Sequence, residues 1–180
     1  NSRRQIPSMI NLYRNETDLD HQKYIFADYY LETTKNLSWA AWQLSTGQTF
    51  GNPNVRNQWE TTELFENHAG IIVGKEKELE KLQRGSVRIA FPIANFDFAE
   101  DGVTQLLTSL FGGQLDIKHL DKCVLEHITY PEKIINSYFK GPKFGITGLR
   151  KITECYDKPL LLGIIKPKII ASEKVLTEMV

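Results

Sequence analysis

Three features of the sequence predict an α+β fold, a ferredoxin-like βαββαβ sandwich with a four-stranded antiparallel sheet and two helices. Apolar residues alternate with a period of two over 23–32 and again over 86–94. Over 36–44 and 101–111 they recur at i, i+3, i+4, i+7 instead. The elements then follow one another as strand, helix, strand, strand, helix, strand, which is the split βαβ order.

Residues 1–22 are polar and form a lead-in segment. The first strand, 23–32, places Ile25, Ala27, Tyr29 and Leu31 on one face. Asp28 lies on the other face, where a solvated edge or a satisfied polar contact is expected rather than a catalytic acid. The helix over 36–44 gathers Leu37, Ala40, Ala41 and Leu44, and Ser45-Thr46-Gly47 breaks it, with Gly47 as a left-handed cap. Residues 51–62 are a polar loop. A second strand over 68–76 centres on Ile71-Ile-Val, and Gly85 marks the turn into the third, 86–94. These two form a hairpin across charged residues. The helix over 101–111 carries Val103, Leu106, Leu107, Leu110 and Phe111 on one side, with Glu100 or Asp101 to cap it and Gly112-Gly113 to end it. The fourth strand is 122–129. The ferredoxin-like domain is thus 23–130.

Residues 131–180 follow a different logic. Helices are expected over 131–139, with Pro131 in the first turn, and over 146–155, with Leu149, Ile152 and Thr153 inward. Leu160–Ile165 is a nearly continuous apolar run, suited to a strand buried on both faces of a parallel sheet. It stops at Lys166-Pro167-Lys168, and a last helix starts at Ser172. A parallel strand needs parallel neighbours, and 131–180 supply none. The segment is expected to be linker helices and the first strand of a β/α barrel, which needs about 200–250 residues and is incomplete here.

Composition narrows the function. The 22 Lys+Arg balance 22 Asp+Glu, giving a pI of 7.1, which argues against nucleic-acid binding through a basic field. No apolar stretch is long enough for a membrane span, and Asn1-Ser-Arg-Arg opens no signal peptide, so a cytoplasmic protein is expected. Cys123 and Cys155 make no CxxC pair, and His21, His68, His119 and His127 have no zinc-ligand spacing. Trp39, Trp42 and Trp59 are expected in the core or an interface, and His119 and His127 as satisfied polar groups on sheet edges.

One stretch carries a resemblance. Pro159-Leu-Leu-Leu-Gly-Ile-Ile-Lys-Pro-Lys, preceded by Phe139-Lys-Gly-Pro-Lys-Phe-Gly-Ile-Thr-Gly-Leu-Arg, resembles the domain junction of the RuBisCO large-subunit superfamily. It is most similar to the RuBisCO-like (form IV) branch, where a Gly-Pro-Lys-Phe-Gly-Ile turn is typical. Tyr29-Tyr30-Leu-Glu, Ser45-Thr46-Gly47, Val87-Arg-Ile-Ala-Phe-Pro and Leu106-Leu-Thr-Ser-Leu-Phe-Gly agree in order and spacing.

The resemblance implies an N-terminal ferredoxin-like domain that closes over the barrel active site of a neighbouring subunit in a homodimer formed through the barrel domain. It makes Lys166 the proton-shuttling lysine and Lys168 its neighbour. Two ammonium groups held close depress each other's pKa, which suits acid and base work. It directs Gln43, Thr46 and Ser109 toward the neighbouring subunit's substrate. It also implies Mg²⁺, whose ligands lie beyond Val180, so no metal ligand is expected within this chain.

Three departures bear on the reaction. Gln43 stands where carboxylases hold a glutamate, Ser109 where they hold an asparagine, and Ile170 where they hold a glycine. A neutral amide takes no proton. The expectation is therefore a full-length dimer acting on a phosphorylated sugar or keto compound by enolisation, isomerisation or decarboxylation, not CO2 fixation. The 180-residue chain alone is expected to be inactive. The alternative is a non-catalytic ferredoxin-like interaction or dimerisation domain.

Overall fold

A computed structural model describes residues 11–52, 61–139, 141 and 143–161. The chain divides into two compact units, Asn1–Lys140 and Gly141–Val180. Among the described residues five strands form one mixed sheet: β1 (Tyr13–Arg14), β2 (Tyr24–Thr33), β3 (Ile71–Val73), β4 (Arg84–Pro92) and β5 (Leu120–Thr129). Their spatial order is β1-β3-β4-β2-β5. Each neighbouring pair among the last four is antiparallel, and β1 pairs with β3 in parallel. The sheet is therefore not the purely antiparallel four-stranded one expected. The difference is the two-residue β1 from the lead-in, too short to leave a periodic signal.

Strand β2 is central and sets the layers. Ile25, Ala27, Tyr29 and Leu31 are fully buried on one face, as the alternation predicts. They join Val87, Ile89 and Phe91 of β4 in the main core. Helix α1 (Leu37–Gly47) covers this face through Leu37, Ala40, Ala41 and Leu44, all fully buried. Asn36 starts the helix, its Oδ1 accepting the Trp39 N–H at 2.8 Å. Helix α4 (Thr104–Phe111) adds Leu106 and Leu110 to the same core, and the Tyr29 hydroxyl donates to the Leu110 carbonyl at 3.1 Å.

The opposite face holds a smaller cluster of Phe26, Ile71 and Ala90. Beside it Arg88 grips Asp28 with two bonds, Nε to Oδ1 at 2.6 Å and Nη2 to Oδ2 at 2.9 Å. Its Nη1 donates to Glu16 at 2.8 Å, which fastens the lead-in to the sheet. The hydrogen bond with Asp28 pushes the Arg88 pKa further above its already high range. Asp28 is thus the satisfied polar contact expected.

Several local expectations change. Position 62, expected to end a loop, and position 68, expected to start a strand, both belong to helix α2 (Thr62–His68), capped by Thr61. The charged β3–β4 connection contains a single helical turn, α3 (Glu76–Leu79). Gly47 lies inside α1 and is not left-handed; the helix closes with the Gln48 N–H on the Leu44 carbonyl. Helix α4 starts at Thr104, not Asp101, because Asp97 Oδ1 accepts the Ala99 and Glu100 N–H groups in a turn of its own. Its Leu107 and Phe111, and Val103 before it, are exposed: eight residues resting on a sheet bury one narrow stripe. Helix α5 (Glu132–Tyr138) follows Pro131 and sends Ile134 into the core of the first unit.

In the second unit, helix α6 (Gly145–Thr153) ends at Glu154 in the left-handed conformation. Arg150 staples its exit, donating to the carbonyls of Cys155 and Lys158. Leu149, Ile152 and Thr153, expected inward, are exposed, since residues 143–161 supply no second apolar element to cover them. The strand at 160–165 and the helix after 172 lie outside the described residues, apart from positions 160 and 161. So does Trp59.

Candidate functional site

The first unit has a cleft of about 580 Å³ between α1 and the connection from α4 to β5. Its α1 wall comes from Trp39, Gln43 and Gly47, one helical turn apart, and Gln48, Gly51 and Asn52 extend it. The opposite wall runs from Gly113 to His119 and brings Asp116 and Lys118. Two close approaches shape it. The Gln48 amide lies where a Cβ on Gly113 would stand, so any side chain there would have to displace that amide. The His119 ring meets Trp39 edge to face at 5.6 Å, and its Nδ1 lies 3.0 Å from the Thr34 hydroxyl.

Helix α1 is held in place from below. Ser45 Oγ donates to the Gly70 carbonyl, and Thr49 Oγ1 accepts the Gly70 N–H at 2.8 Å. Thr49 Oγ1 donates in turn to the Ser45 carbonyl at 2.7 Å. A Cβ on Gly70 would come within 2.8 Å of Ser45 Oγ. This contact fixes the C-terminal half of α1 against the start of β3, and with it the cleft wall.

Gln43 lines the cleft and is only 7% exposed. Thr46, one turn further along α1, is buried and is not a lining residue; its carbonyl receives the N–H groups of Thr49, Phe50 and Gly51. Its Oγ1 has no partner among the described residues. Ser109 is half-buried on α4 and does not line the cleft, whereas Gly113, four residues later, does. Lys166 and Lys168 lie outside the described residues. Sequence reasoning misses Gln48, Asn52 and Lys118, although glycines clustered at 47, 51, 112 and 113 mark two helix ends that approach each other.

Chemically, Gln43, Gln48 and Asn52 offer amides that donate and accept hydrogen bonds without changing charge. Lys118 adds a cation and Trp39 a flat apolar surface. Such a wall suits binding and orienting a small polar molecule. Among the described residues no three His, Cys, Asp or Glu side chains gather to hold a metal ion. Among the described residues, too, no helix is long and apolar enough to cross a membrane.

The fold is shared with solved Rubisco structures. Solved structures of similar shape include the octameric carboxylase/oxygenase of Pyrococcus horikoshii, with a TM-score of 0.68 at 23% identity over 93% of this chain and 38% of that one. A rubisco-like protein of Alicyclobacillus acidocaldarius superposes with a TM-score of 0.56 at 24% identity, over 89% of this chain and 38% of that one. No family model matches the chain.

Sequence relatives carry the assignment beyond fold. A RuBisCO-like protein of Chlorobaculum thiosulfatiphilum is 27% identical over 93% of this chain and 41% of its own length. A 2,3-diketo-5-methylthiopentyl-1-phosphate enolase of Bacillus thuringiensis is 29% identical over 79% of this chain and 35% of its own. A ribulose bisphosphate carboxylase of Methanosarcina mazei is 39% identical, over 49% of this chain and 20% of its own. The chain is thus similar over most of its length to RuBisCO-like proteins and over about half of it to a ribulose bisphosphate carboxylase, which places its relatives in the RuBisCO superfamily. It spans between a fifth and about two-fifths of the length of these relatives.

Proposed function

We propose that this chain is the N-terminal, ferredoxin-like part of a RuBisCO-like protein that enolises a phosphorylated keto compound rather than fixing CO2. The strand order β3-β4-β2-β5 with α1 and α4 on one face supports the ferredoxin-like reading. The observation that carries the reaction class is Gln43. It is a buried neutral amide in the cleft wall at the position where the resemblance puts a carboxylate in carboxylases. An amide there holds a substrate oxygen through hydrogen bonds and exchanges no proton with it.

In this reading the cleft orients the substrate of a neighbouring subunit. Dimeric and octameric assemblies among the solved relatives support a site shared between copies. Proton transfer falls to Lys166 with Lys168 beside it. Magnesium belongs to the full-length dimer, outside the residues of this cleft. Isomerisation and decarboxylation would share the enolate that enolisation forms.

The test uses the longer protein that contains this chain, given either 2,3-diketo-5-methylthiopentyl-1-phosphate or ribulose bisphosphate with labelled bicarbonate. Enol formation from the diketone is expected, with no label fixed. Lys166→Met should lower the enolisation rate by about 10²–10⁴-fold. Label fixed into ribulose bisphosphate would overturn the assignment, and unchanged turnover in Lys166→Met would remove that lysine's role.

A further inference from the structure

Strand β5 is ten residues long and pairs only with β2; among the described residues no strand lies on its other side. An edge of that length presents a row of unpaired backbone donors and acceptors. Charges on edge strands ordinarily repel a second strand. The charges on β5 are arranged differently. The run Lys122-Cys-Val-Leu-Glu126 is self-complementary when read antiparallel against itself about Val124. Lys122 then faces Glu126 of the second copy, twice by symmetry, Cys123 faces Leu125, and Val124 meets its own counterpart.

We infer that this edge is a self-association surface, on which a second copy of the chain docks antiparallel through residues 122–126 and joins the two sheets. Directly opposed side chains in such a pair stand about 4.5–5.5 Å apart at Cβ, close enough for Lys122 to reach Glu126. Val124 is 41% exposed, an apolar residue at the two-fold axis flanked by charge. Other registers lose the match. A shift by one residue sets Asp121 against Glu126 or Cys123 against Glu126, and a shift by two sets Lys122 against Val124 or Ile128.

The local geometry leaves these groups available. Asp28 pairs with His127 and Tyr29 with Leu125, so Glu126 is the extra residue of a bulge, outside the β2 register. Its Oε2 accepts from the Ser86 hydroxyl at 3.5 Å, a long contact that leaves the carboxylate room for an ammonium. Lys122 is 54% exposed and lies 3.6 Å from Glu32, leaving ammonium protons for a second carboxylate. The bulge also limits the contact to about five residues a side. The association is therefore weak, with a dissociation constant of about 0.1–1 mM. This inference is independent of the catalytic reading.

The test is sedimentation equilibrium of the 180-residue chain up to that concentration, with Lys122→Glu, Glu126→Lys and the double exchange, each first checked for an unchanged melting transition. Wild type is expected to dimerise. Each single variant sets two like-charge pairs opposite each other and should weaken the dimer by about tenfold or more. The double variant should restore it. An equimolar mixture of the two single variants should form a mixed dimer, because the two acidic side chains of one copy then face the two basic side chains of the other. A wild-type monomer throughout, a dimer indifferent to the charge reversals, or single variants that fail to combine would each overturn the assignment.

Discussion

The hydroxyl of Ser45 donates to the carbonyl of Gly70 and so joins helix α1 to the entry of strand β3. Both backbone polar groups of Gly70 are served from one helical turn, since Thr49 takes its N–H. Ser45→Ala should leave the carbonyl without that donor and cost about 1–3 kcal/mol. Gly70→Ala should cost a similar ~1–3 kcal/mol by forcing a methyl group against Ser45 and Ile89. Urea midpoints measure both, and midpoints equal to wild type would remove this contact from the account of how the cleft wall is held.

Arg88 is expected to matter more than either acid it serves. Arg88→Met strands Asp28 in a half-buried site and should cost about 1–3 kcal/mol, whereas Glu16→Gln, at the more exposed end, should cost less than ~1 kcal/mol. Arg88→Lys should recover only part, because an ammonium cannot make the paired bonds to both Asp28 oxygens. Thermal melts of the three variants would reveal a different ranking if the network were decorative.

Alkaline pH should destabilise the fold through one buried and one half-buried acid. Burial pushes the Cys123 thiol from its usual 9.0 up to about 11 and holds the Tyr29 phenol well above the ordinary tyrosine range. Above pH 9 the folded chain therefore keeps protons that the unfolded chain releases. The Cys123 contribution is complete below pH 9 and is lost as pH rises to about 11, while that of Tyr29 declines over a higher range. Cys123→Ala should flatten the decline between pH 9 and 11 in denaturant titrations. Tyr29→Phe should act at higher pH and also lose about 1 kcal/mol with its bond to Leu110.

Adjacent leucines on α4 should behave oppositely. Leu106 is fully buried, so Leu106→Ala is expected to cost about 2–5 kcal/mol; Leu107 is 40% exposed, and its replacement should cost less than ~1 kcal/mol. Urea denaturation compares the two, and equal losses at both positions would mean that α4 is covered on its outer side.

Much of this was legible in the sequence because burial follows period. The alternation in β2 and β4 and the i, i+4 spacing in α1 each described a face that the core then used. What was not legible depended on contacts remote in sequence. Tyr13–Arg14 is a strand only because β3 runs beside it. Helix α2 has one buried residue, Phe65, and its signal was the capping threonine at 61 rather than any apolar stripe. Along α4 the apolar residues outnumber those the sheet can cover, so period alone pointed to Val103, Leu107 and Phe111 beside the buried Leu106 and Leu110. At the cleft, Gln43 was found by family position, while Gln48 and Gly113 meet only because two helix ends converge.

The central place of β2 has a consequence for synthesis on the ribosome. Its neighbours β4 and β5 come from far along the chain: Leu31 pairs with Gly85 on one side and Cys123 on the other. At a synthesis rate of about 5–20 residues per second, the second flank arrives roughly 5–20 seconds after β2 emerges. Until β4 arrives an apolar, strand-forming decapeptide has both edges open, and from then until β5 arrives it has one. Nascent chains stalled between residues 33 and 120 are accordingly where chaperone capture of this protein would concentrate.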